Sequence, residues 1–325
     1  MFLILTPFGG RKMSIQITEA FVKQYSSNVI HLSQQKGSKL QGLVRTESQN
    51  GESKFFERIG LVDALEKTGR HADIEYSDTP HSRRRVTLSD FYYADLVDEE
   101  DKIRMLISPE SDYAKAAVNA MGRKKDDKII AAALGNAYSG KEGSTAVALP
   151  ASQKVACHDG TTTTGNNLNV KTLRAVKAKF DSNDVDESIS RHFGITSSQL
   201  QSLLAEEEVT SSDYASVKAL VMGEVNSFMG FNFVRTERFV RSATDVTYNV
   251  VSGVVGSGTG TISAAKSRRC IAWAKDGLLL SVGKDIMSKI EPDMKKHYAM
   301  QVYVKMGIGA TRLEEEKVVE VICSE

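Results

Sequence analysis

One long segment of this chain is poor in apolar residues compared with the rest. From about residue 37 to residue 85 the sequence is polar and broken, with short strand-like pieces at 40–45, 55–59 and 84–88. These pieces hold too few apolar residues to close a core, and a two-stranded excursion is marginal in water. The segment is therefore either disordered or held by something outside the subunit. Recurring β-branched and aromatic residues at its ends favour the second interpretation.

Helical periodicity follows this segment and also precedes it. A short amphipathic helix is predicted near the start, with apolar positions at Ile17, Phe21, Val22 and Tyr25. The strongest helix is predicted at about 108–135, where Ser108, Pro109 and Glu110 form a start signal and Gly135 a stop. If the charged stretch 122–128 does not break it, this helix is a rod of roughly 40 Å, long for a compact domain.

The second half of the chain changes from helical to strand-like patterns. Residues 139–167 are rich in Gly, Ser and Thr and are predicted to be a loop. Three helices are predicted next, around Phe180, Leu203 and Val217. Beyond residue 230 the pattern predicts strands, and the clearest alternation with period two runs through residues 298–304.

Composition and charge exclude several classes of protein. The formal net charge is +1, whereas a protein that binds nucleic acid by neutralising phosphates normally has a basic excess. The three cysteines show no metal-site spacing and no disulfide framework, which indicates reduced, partly buried thiols. No apolar run is long enough to cross a bilayer, so no membrane association is expected. The opening MFLILTPF lacks the features of a signal peptide, and residues 1–12 are interpreted as an upstream-start extension before Met13.

The strongest catalytic resemblance is a partial phosphate-binding loop at residues 135–141, GNAYSGK. Its next residue is Glu142, where a hydroxyl is needed to reach magnesium, and a carboxylate there would repel phosphate. A helix precedes the string and a loop follows, the reverse of what the motif needs. A helix stop followed by a loop is the better interpretation, with a nucleotide-binding enzyme as a rival.

Other candidate chemistry is weaker still. Gly256, Gly258 and Gly260 are better explained by a turn between strands than by dinucleotide binding. The six histidines are scattered, and the acidic runs, including 314–316, are expected to be solvated. We therefore predict no enzyme activity, no catalytic residues, no cofactor and no metal site.

Long strings of residues carry a resemblance to a known family. They are RIGLVDALEKTGRHADIEYSDTPHSRRRVTLSDFYYADLVDEEDKIRML at 58–106, VTSSDYASVKALVMGEVNSFMGFNFVRTERF at 209–239, RRCIAWAKDGLLLSVGKDI at 268–286 and KMGIGATRLEEEKVVEVIC at 305–323. Together with the order of the predicted elements, they resemble the major capsid proteins of tailed bacteriophages over most of residues 13–325. The string DESISRHFGI at 186–195 departs from the pattern of that family.

The resemblance implies an α+β fold of the HK97-like capsid type, with its parts placed along the chain as follows. Residues 1–37 would be the N-terminal arm, 38–92 the extended E-loop hairpin, 93–165 with 284–325 the peripheral domain carrying the spine helix at about 108–135, and 166–283 the axial domain. In this family the E-loop lies across a neighbouring subunit, which would supply the burial that the polar segment lacks.

The function implied by the resemblance is structural. The chain would self-assemble as hexamers and pentamers into an icosahedral phage head enclosing double-stranded DNA, which it would contact weakly and without sequence specificity. It would be found in the virion and be assembled in the cytoplasm of a bacterial host. An encapsulin-type compartment shell, with the same fold, is the alternative.

Partners and interface residues are also expected. The segment before the E-loop is short, about 25 residues from Met13, which predicts a separate scaffolding protein. A portal is expected, and a decoration protein is possible in this family. Residues for the subunit interface are Arg83, Arg84 and Arg85, which could instead touch phosphates, together with Phe55 and Phe56.

Overall fold

The computed structural model describes most of the chain. The described residues are 33–67, 69–70, 73–74, 76–98, 110–157, 166–206, 227–250 and 258–325. Several predictions lie outside them: the helix around Phe21, the start signal at Ser108 and Pro109, and the helix around Val217.

The described residues form three α-helices: α1 (Glu110–Leu134), α2 (Val170–Ser182) and α3 (Ser197–Leu204). The long predicted helix is confirmed as α1, whose 25 residues give a rod of about 37 Å. It continues through the charged stretch 122–128 and ends one residue before Gly135, whose N–H donates to the carbonyl of Ala131 at 2.8 Å. The helices predicted around Phe180 and Leu203 are confirmed as α2 and α3.

Strands make up most of the remaining ordered elements. In the first half of the chain they are β1 (Arg45–Ser48), β2 (Ser53–Ile59), β3 (His81–Thr87), β4 (Ser89–Val97), β5 (Ala137–Ser139), β6 (Thr145–Val147) and β7 (Lys154–Ala156). In the second half they are β8 (Arg191–Ile195), β9 (Ser227–Phe228), β10 (Phe231–Arg235), β11 (Val246–Val250), β12 (Gly258–Ile262), β13 (Ser267–Ala274), β14 (Leu278–Asp293), β15 (Ala299–Arg312) and β16 (Val318–Ser324).

The longest strands form a sheet in the order β1-β14-β15-β4. Antiparallel pairing of β14 with β15 runs from Leu278↔Arg312 to Asp293↔Ala299, which confirms the strand predicted from period-two alternation. Helix α1 packs on β15 and β14. Its buried face is rich in small residues such as Ala117 and Ala133, which let the helix lie close to the sheet.

A six-stranded sheet in the order β7-β16-β13-β8-β10-β9 forms the rest of the core. Its central strand β13 is buried along nearly its whole length, as expected for a strand covered on both faces. Trp273 lies in this strand and donates its indole N–H to the carbonyl of Leu43 at 3.0 Å. This bond joins the six-stranded sheet to the segment that leads into β1.

A third sheet, in the order β2-β3-β5-β6, corrects two expectations. Residues 139–167 were predicted to be a loop, yet part of this region forms β6, β7 and the end of β5. The short strands escaped the sequence analysis because three residues are too few to show a period. The hairpin of β2 and β3 is also not held only from outside the subunit, because β3 pairs with β5 through Arg84↔Ser139 and Arg85↔Tyr138.

Three other features bear on the predicted chemistry. Gly258 and Gly260 lie on β12, which pairs with β11, and not in the turn predicted for them, while Gly256 is outside the described residues. Among the described helices, none is long and apolar enough to span a membrane. The described residues also contain no cluster of His, Cys, Asp or Glu suited to a metal ion.

Candidate assembly surface

Strands β2 and β3 form an antiparallel hairpin, residues 53–87, which we call the hairpin arm. Its register runs from Ser53↔Thr87 to Ile59↔His81, and the N–H of Gly60 donates to the carbonyl of Pro80 at 2.8 Å just beyond the last pair. Residues 59–80, which we call the tip, extend past this bond. The arm therefore has a hydrogen-bonded base and a tip that, beyond Ile59 at the end of β2, carries no regular secondary structure among its described residues.

The tip exposes large apolar side chains. Leu61 is 100% exposed and Tyr76 91%. The other exposed apolar side chains of the tip are Ile59, Val62, Leu65 and Ile74. Single exposed apolar residues are common on protein surfaces, but a cluster on one projecting segment indicates a surface for interaction. The tip is also acidic, with five Asp and Glu residues against two Lys and Arg residues.

A buried ion-pair group fixes the base of the arm. It consists of Arg58, Arg84, Arg312 and Glu315, and we call it the arginine–glutamate cluster. Nη2 of Arg84, a residue that is 2% exposed, donates to Oε1 and Oε2 of Glu315 at 2.6 and 2.7 Å. Arg58 donates from Nη1 to the carbonyl of Leu313 at 2.5 Å. Charge-assisted bonds of this kind are stronger than neutral ones, so both arm strands are tied to the turn after β15.

Arg312 extends the arginine–glutamate cluster to helix α1. This fully buried side chain donates from Nη1 to the carbonyls of Ala133 and Gly135 at 2.9 and 2.8 Å, and from Nη2 to Val147 at 3.0 Å. Burial lowers the pKa of its guanidinium, while Glu315 opposes that shift. Because the last turn of α1 contains no basic residue, Arg312 provides the positive charge that a helix C-terminus favours.

The predicted interface residues fall on two sides of the arm. Arg84 is committed to Glu315 inside the chain, and Phe56 packs against the small cluster of Val86, Leu279 and Leu313. On the other side, Arg83 pairs with Glu57 at 3.4 Å and lies over the ring of Phe55, both near solvent.

Arg85 lies in a third environment, beside residues 135–141, the string that resembles a phosphate-binding loop. Its guanidinium lies 5.6 Å from the ring centre of Tyr138 and donates to the carbonyl of Glu142 at 3.3 Å. The string itself runs from the end of α1 through β5 into a turn toward β6, so no helix follows it. The order of elements is the reverse of a phosphate-binding loop, as the sequence predicted.

A second group of hydrogen bonds holds residues 33–40 against helix α1. Asp126 of α1 is fully buried and accepts hydrogen bonds from the side chains of Gln35 and Ser38, each at 2.5 Å, and from the N–H groups of Lys39 and Leu40, each at 3.1 Å. We call residues 33–40 the tether. The charged stretch of α1 is thus a binding site for the tether and is only partly exposed to solvent.

The β4–β15 side of the long sheet offers a second partly apolar surface. Phe91 of β4 faces Lys124 and Lys128 of α1, so the neighbouring Tyr92 points to the opposite side. There, Tyr92 and Leu96 are exposed, Tyr92 stacks on Tyr303 with ring centres 6.4 Å apart, and Lys305 lies opposite Tyr92. We call these four residues, Tyr92, Leu96, Tyr303 and Lys305, the outer face.

Sequence analysis missed the residues that matter most at the base. Glu315 lies in the acidic run 314–316, which was expected to be solvated, yet it is only 7% exposed. Arg312 and Arg58 had no distinguishing sequence context. Glu315 is 257 positions from Arg58, and the carbonyl of Ala133 is 179 positions from Arg312, so no local pattern could identify these contacts.

Comparisons with known proteins agree with this architecture. The sequence of residues 17–325 matches the family model described as phage capsid protein. No curated protein matches the chain.

Solved structures show a similar fold at low sequence identity. The capsid of Ralstonia phage GP4 is 8% identical, with a TM-score of 0.69 over 99% of this chain and 98% of that one. The capsid of Cyanophage P-SCSP1u is 15% identical, with a TM-score of 0.67 over 98% of each chain. The acid-stable capsid of Helicobacter pylori bacteriophage KHP30 is 11% identical, with a TM-score of 0.67 over 98% of this chain and 100% of that one.

The predicted α+β, HK97-like fold is confirmed by these structures. The encapsulin alternative is not favoured, because the family model is that of a phage capsid protein. The same match assigns a structural role in place of an enzymatic one. From its sequence match over residues 17–325 and its capsid fold, the chain belongs to the phage capsid protein family and is a structural component of a phage head.

Proposed function

We propose that this capsid protein assembles as hexamers and pentamers into an icosahedral head enclosing double-stranded DNA, and that the tip of each hairpin arm docks on a neighbouring copy. The observation that carries the proposal is the contrast within the arm: large apolar side chains are exposed at the tip, while the base is fixed by the arginine–glutamate cluster. Burying a large apolar side chain contributes about 1.5–3 kcal/mol, so several of them on each subunit supply a substantial contact.

The outer face of a second copy is the surface we propose for the tip. It presents tyrosine and leucine side chains beside Lys305, and Lys289 of β14 lies opposite Tyr303 in the register. The acidic tip and this lysine-bearing face are complementary in charge, which orients docking more than it adds affinity. Because every subunit carries both surfaces, such contacts multiply around a ring and stabilise a shell through multivalency.

The arrangement of parts follows the same proposal. We assign residues 38–92 to the E-loop, 93–165 with 284–325 to the peripheral domain and 166–283 to the axial domain. Arg83 and Phe55, on the exposed side of the arm, remain interface candidates, and Arg85 is one next to Tyr138. Arg84 and Phe56 act inside the subunit, where they position the arm.

Partners of the shell complete the proposal. We propose a separate scaffolding protein, a portal at one vertex, and assembly in the cytoplasm of the bacterial host before DNA enters. The net charge of +1 supports weak, non-specific contact with the packaged DNA, because each phosphate that a protein neutralises adds affinity. A decoration protein would bind to the finished shell.

Assembly of tip variants tests the docking step. The double variant Leu61→Ser with Tyr76→Ser should keep the far-UV circular dichroism of the wild type but fail to form shells, measured by sedimentation and electron microscopy in the presence of the scaffolding protein. The matched control is Val240→Ser, which removes an exposed valine outside the arm and should assemble normally. Normal shells from the double variant would refute docking by the tip.

Crosslinking tests the receiving surface. Cysteines placed by Leu61→Cys and Leu96→Cys in one chain should give a ladder of covalent oligomers on mild oxidation of assembled shells. Either single variant should give little of this ladder, because the two new thiols must meet across a subunit boundary. If shells form and the double variant gives no ladder, the tip docks elsewhere and the outer face is the wrong surface.

A further inference from the structure

Three cysteines that are far apart in the sequence meet in the core of the six-stranded sheet. Cys157, Cys270 and Cys323 are all fully buried and free. The Sγ atoms of Cys157 and Cys323 lie 3.1 Å apart, although 166 positions separate the two residues. Neither the capsid fold nor the proposed docking of the tip accounts for this contact.

The strands bring Cys157 and Cys323 into direct register. Strand β7 pairs in parallel with β16 through Ile322↔Ala156, and the N–H of Cys157 donates to the carbonyl of Ile322 at 2.8 Å. The next step along both strands places the two cysteines side by side. Neighbouring strands are about 4.8 Å apart, within the range of Cα separations that a disulfide spans.

Cys270 is the competing neighbour on β13. In the antiparallel pairing of β13 with β16, Cys323 lies opposite Arg268, so Cys270 is its diagonal neighbour on the same face. Interactions with the thiols of Cys157 and Cys270, together with burial, raise the pKa of Cys323 well above its usual range. The thiol of Cys323 is therefore protonated and slow to react while the core is closed.

We infer that Cys157 and Cys323 form a redox-responsive pair that a small disulfide such as oxidised glutathione converts to an intrachain disulfide joining β7 to β16. The thiolate of Cys157 attacks one sulfur of glutathione disulfide and releases one glutathione. The thiolate of Cys323 then attacks the Cys157 sulfur of the mixed disulfide and releases the second glutathione. Two cysteine thiols are oxidised, one glutathione disulfide is reduced, and the two cysteine protons end on the two glutathione thiols.

Small movements suffice for the bond. The sulfur atoms need to approach by about 1 Å to reach the disulfide length of about 2.05 Å. Access comes from local opening, because β7 is a three-residue strand at the edge of its sheet and, among the described strands, pairs with β16 alone. Short edge elements open at lower free energy than central strands, so the reagent reaches Cys157 without global unfolding.

The disulfide would join β16, a buried strand of the core, covalently to the end of β7. A disulfide that closes a long loop restricts the unfolded chain, and a bond across 166 positions closes most of the second half of this protein. Oxidation therefore raises the thermal stability of the subunit, and reduction reverses it. This inference does not depend on where the tip docks.

Thiol mapping of the full-length chain tests the pair. After long incubation of the folded protein with oxidised glutathione, the sample is denatured in the presence of N-ethylmaleimide to block the remaining thiols, and tryptic peptides are analysed by mass spectrometry. We expect a peptide pair linking Cys157 to Cys323, lost on treatment with dithiothreitol, and Cys270 blocked by N-ethylmaleimide. The melting temperature should rise by about 5 °C in the oxidised sample.

Single cysteine variants distinguish the Cys157–Cys323 pair from the competing thiol of Cys270. Cys270→Ala should still form the linked peptide, whereas Cys157→Ala and Cys323→Ala should lose both the link and the oxidation-dependent rise in melting temperature. The inference is overturned if all three thiols of the folded wild type stay free, or if the dominant link involves Cys270. A link that forms only in urea would overturn it as well, and the wild-type mapping gives its result even if a variant folds poorly.

Discussion

The base and the tip of the hairpin arm are stabilised in opposite ways. At the base, Arg84 and Glu315 are buried and joined by charge-assisted hydrogen bonds, and β3 pairs with β5. At the tip, Leu61 and Tyr76 expose nearly their whole side chains. The base is complete within one subunit, while the tip would gain its burial from another molecule in the proposed assembly. Directional hydrogen bonds and ion pairs fix the orientation of such a hairpin. Exposed apolar side chains give its tip a surface that can bind another molecule.

The largest expected effect tests the base. Glu315→Gln removes the carboxylate from a group of buried guanidiniums, so the free energy of unfolding should fall by about 3–5 kcal/mol. Urea denaturation of the unassembled chain measures the loss. Glu314→Gln is the control, since Glu314 pairs with Lys317 nearer to solvent, and it should cost less than about 1 kcal/mol. Equal effects of the two variants would contradict a special role for Glu315.

Two adjacent arginines of β3 test the same difference between a buried ion pair and an exposed one. Arg84→Met breaks the buried pair with Glu315, which Arg58 and Arg312 only partly replace, so we expect a loss of about 2–3 kcal/mol. Arg83→Met removes a pair with Glu57 that is near solvent and should cost less than about 1 kcal/mol. Denaturation curves of both variants provide the comparison. The inside–outside division of the arm would be wrong if Arg83→Met cost more.

The tether is a second fixed region and provides the next test. A Cβ added at Gly122 would lie 2.4 Å from the backbone of Gly37, so Gly122→Ala should cost about 1–2 kcal/mol. Helix propensity alone predicts a gain of about 1 kcal/mol for this change. Ala131→Gly, at an exposed position of α1, is the reverse control and should cost about 1 kcal/mol. A gain in stability from Gly122→Ala, measured in urea, would contradict the close approach.

The core and the arm should also differ in their response to pH. Burial, and then the charge of Lys275, lower the pKa of His192, whose ring centre lies 5.7 Å from that of Trp273. As the pH falls below about 6.5, the unfolded chain binds a proton at this histidine before the folded chain does, so stability decreases.

Thermal melts between pH 7.5 and pH 5.5 measure this contribution. His192→Phe should reduce the decrease in melting temperature over this range. His81→Phe, at an exposed position of the arm, should leave the decrease as it is in the wild type. An unchanged pH dependence in His192→Phe would show that other groups cause it.

The smallest expected effect concerns the tip. In the unassembled chain, Leu61→Ser and Ile74→Ser should change the free energy of unfolding by less than about 0.5 kcal/mol, because both side chains are already exposed. Urea denaturation at low protein concentration measures this. A loss above about 1 kcal/mol would mean that the tip is packed within its own subunit, and the comparison with the base would fail.

Sequence patterns predicted the regular elements well where those elements are long. Helix α1 and strand β15 carry their periods over many residues, and both were predicted. Strands β5, β6 and β7 have three residues each, too few for a period, and were taken as loop. The resemblance of long sequence strings to capsid proteins predicted the fold family, which the family model confirms.

The candidate site was predicted less completely. Sequence analysis recognised that the segment containing the arm cannot close a core, and named Arg83, Arg84, Arg85, Phe55 and Phe56 without being able to divide them between the inside and the outside. The division depends on which face of β3 meets the turn after β15. Whether the outward-facing residues contact a neighbour stays a prediction.

The sequence alone determined the periodic elements, the near-neutral charge and the shortage of apolar residues in the segment that forms the arm, because each is a property of neighbouring positions or of composition. Only the tertiary structure decided that the tip exposes its apolar side chains, that Glu315 is buried among guanidiniums, and that three distant cysteines share one core. These contacts join residues up to 257 positions apart, and such pairs are set by the packing of sheets and helices, which no local pattern records.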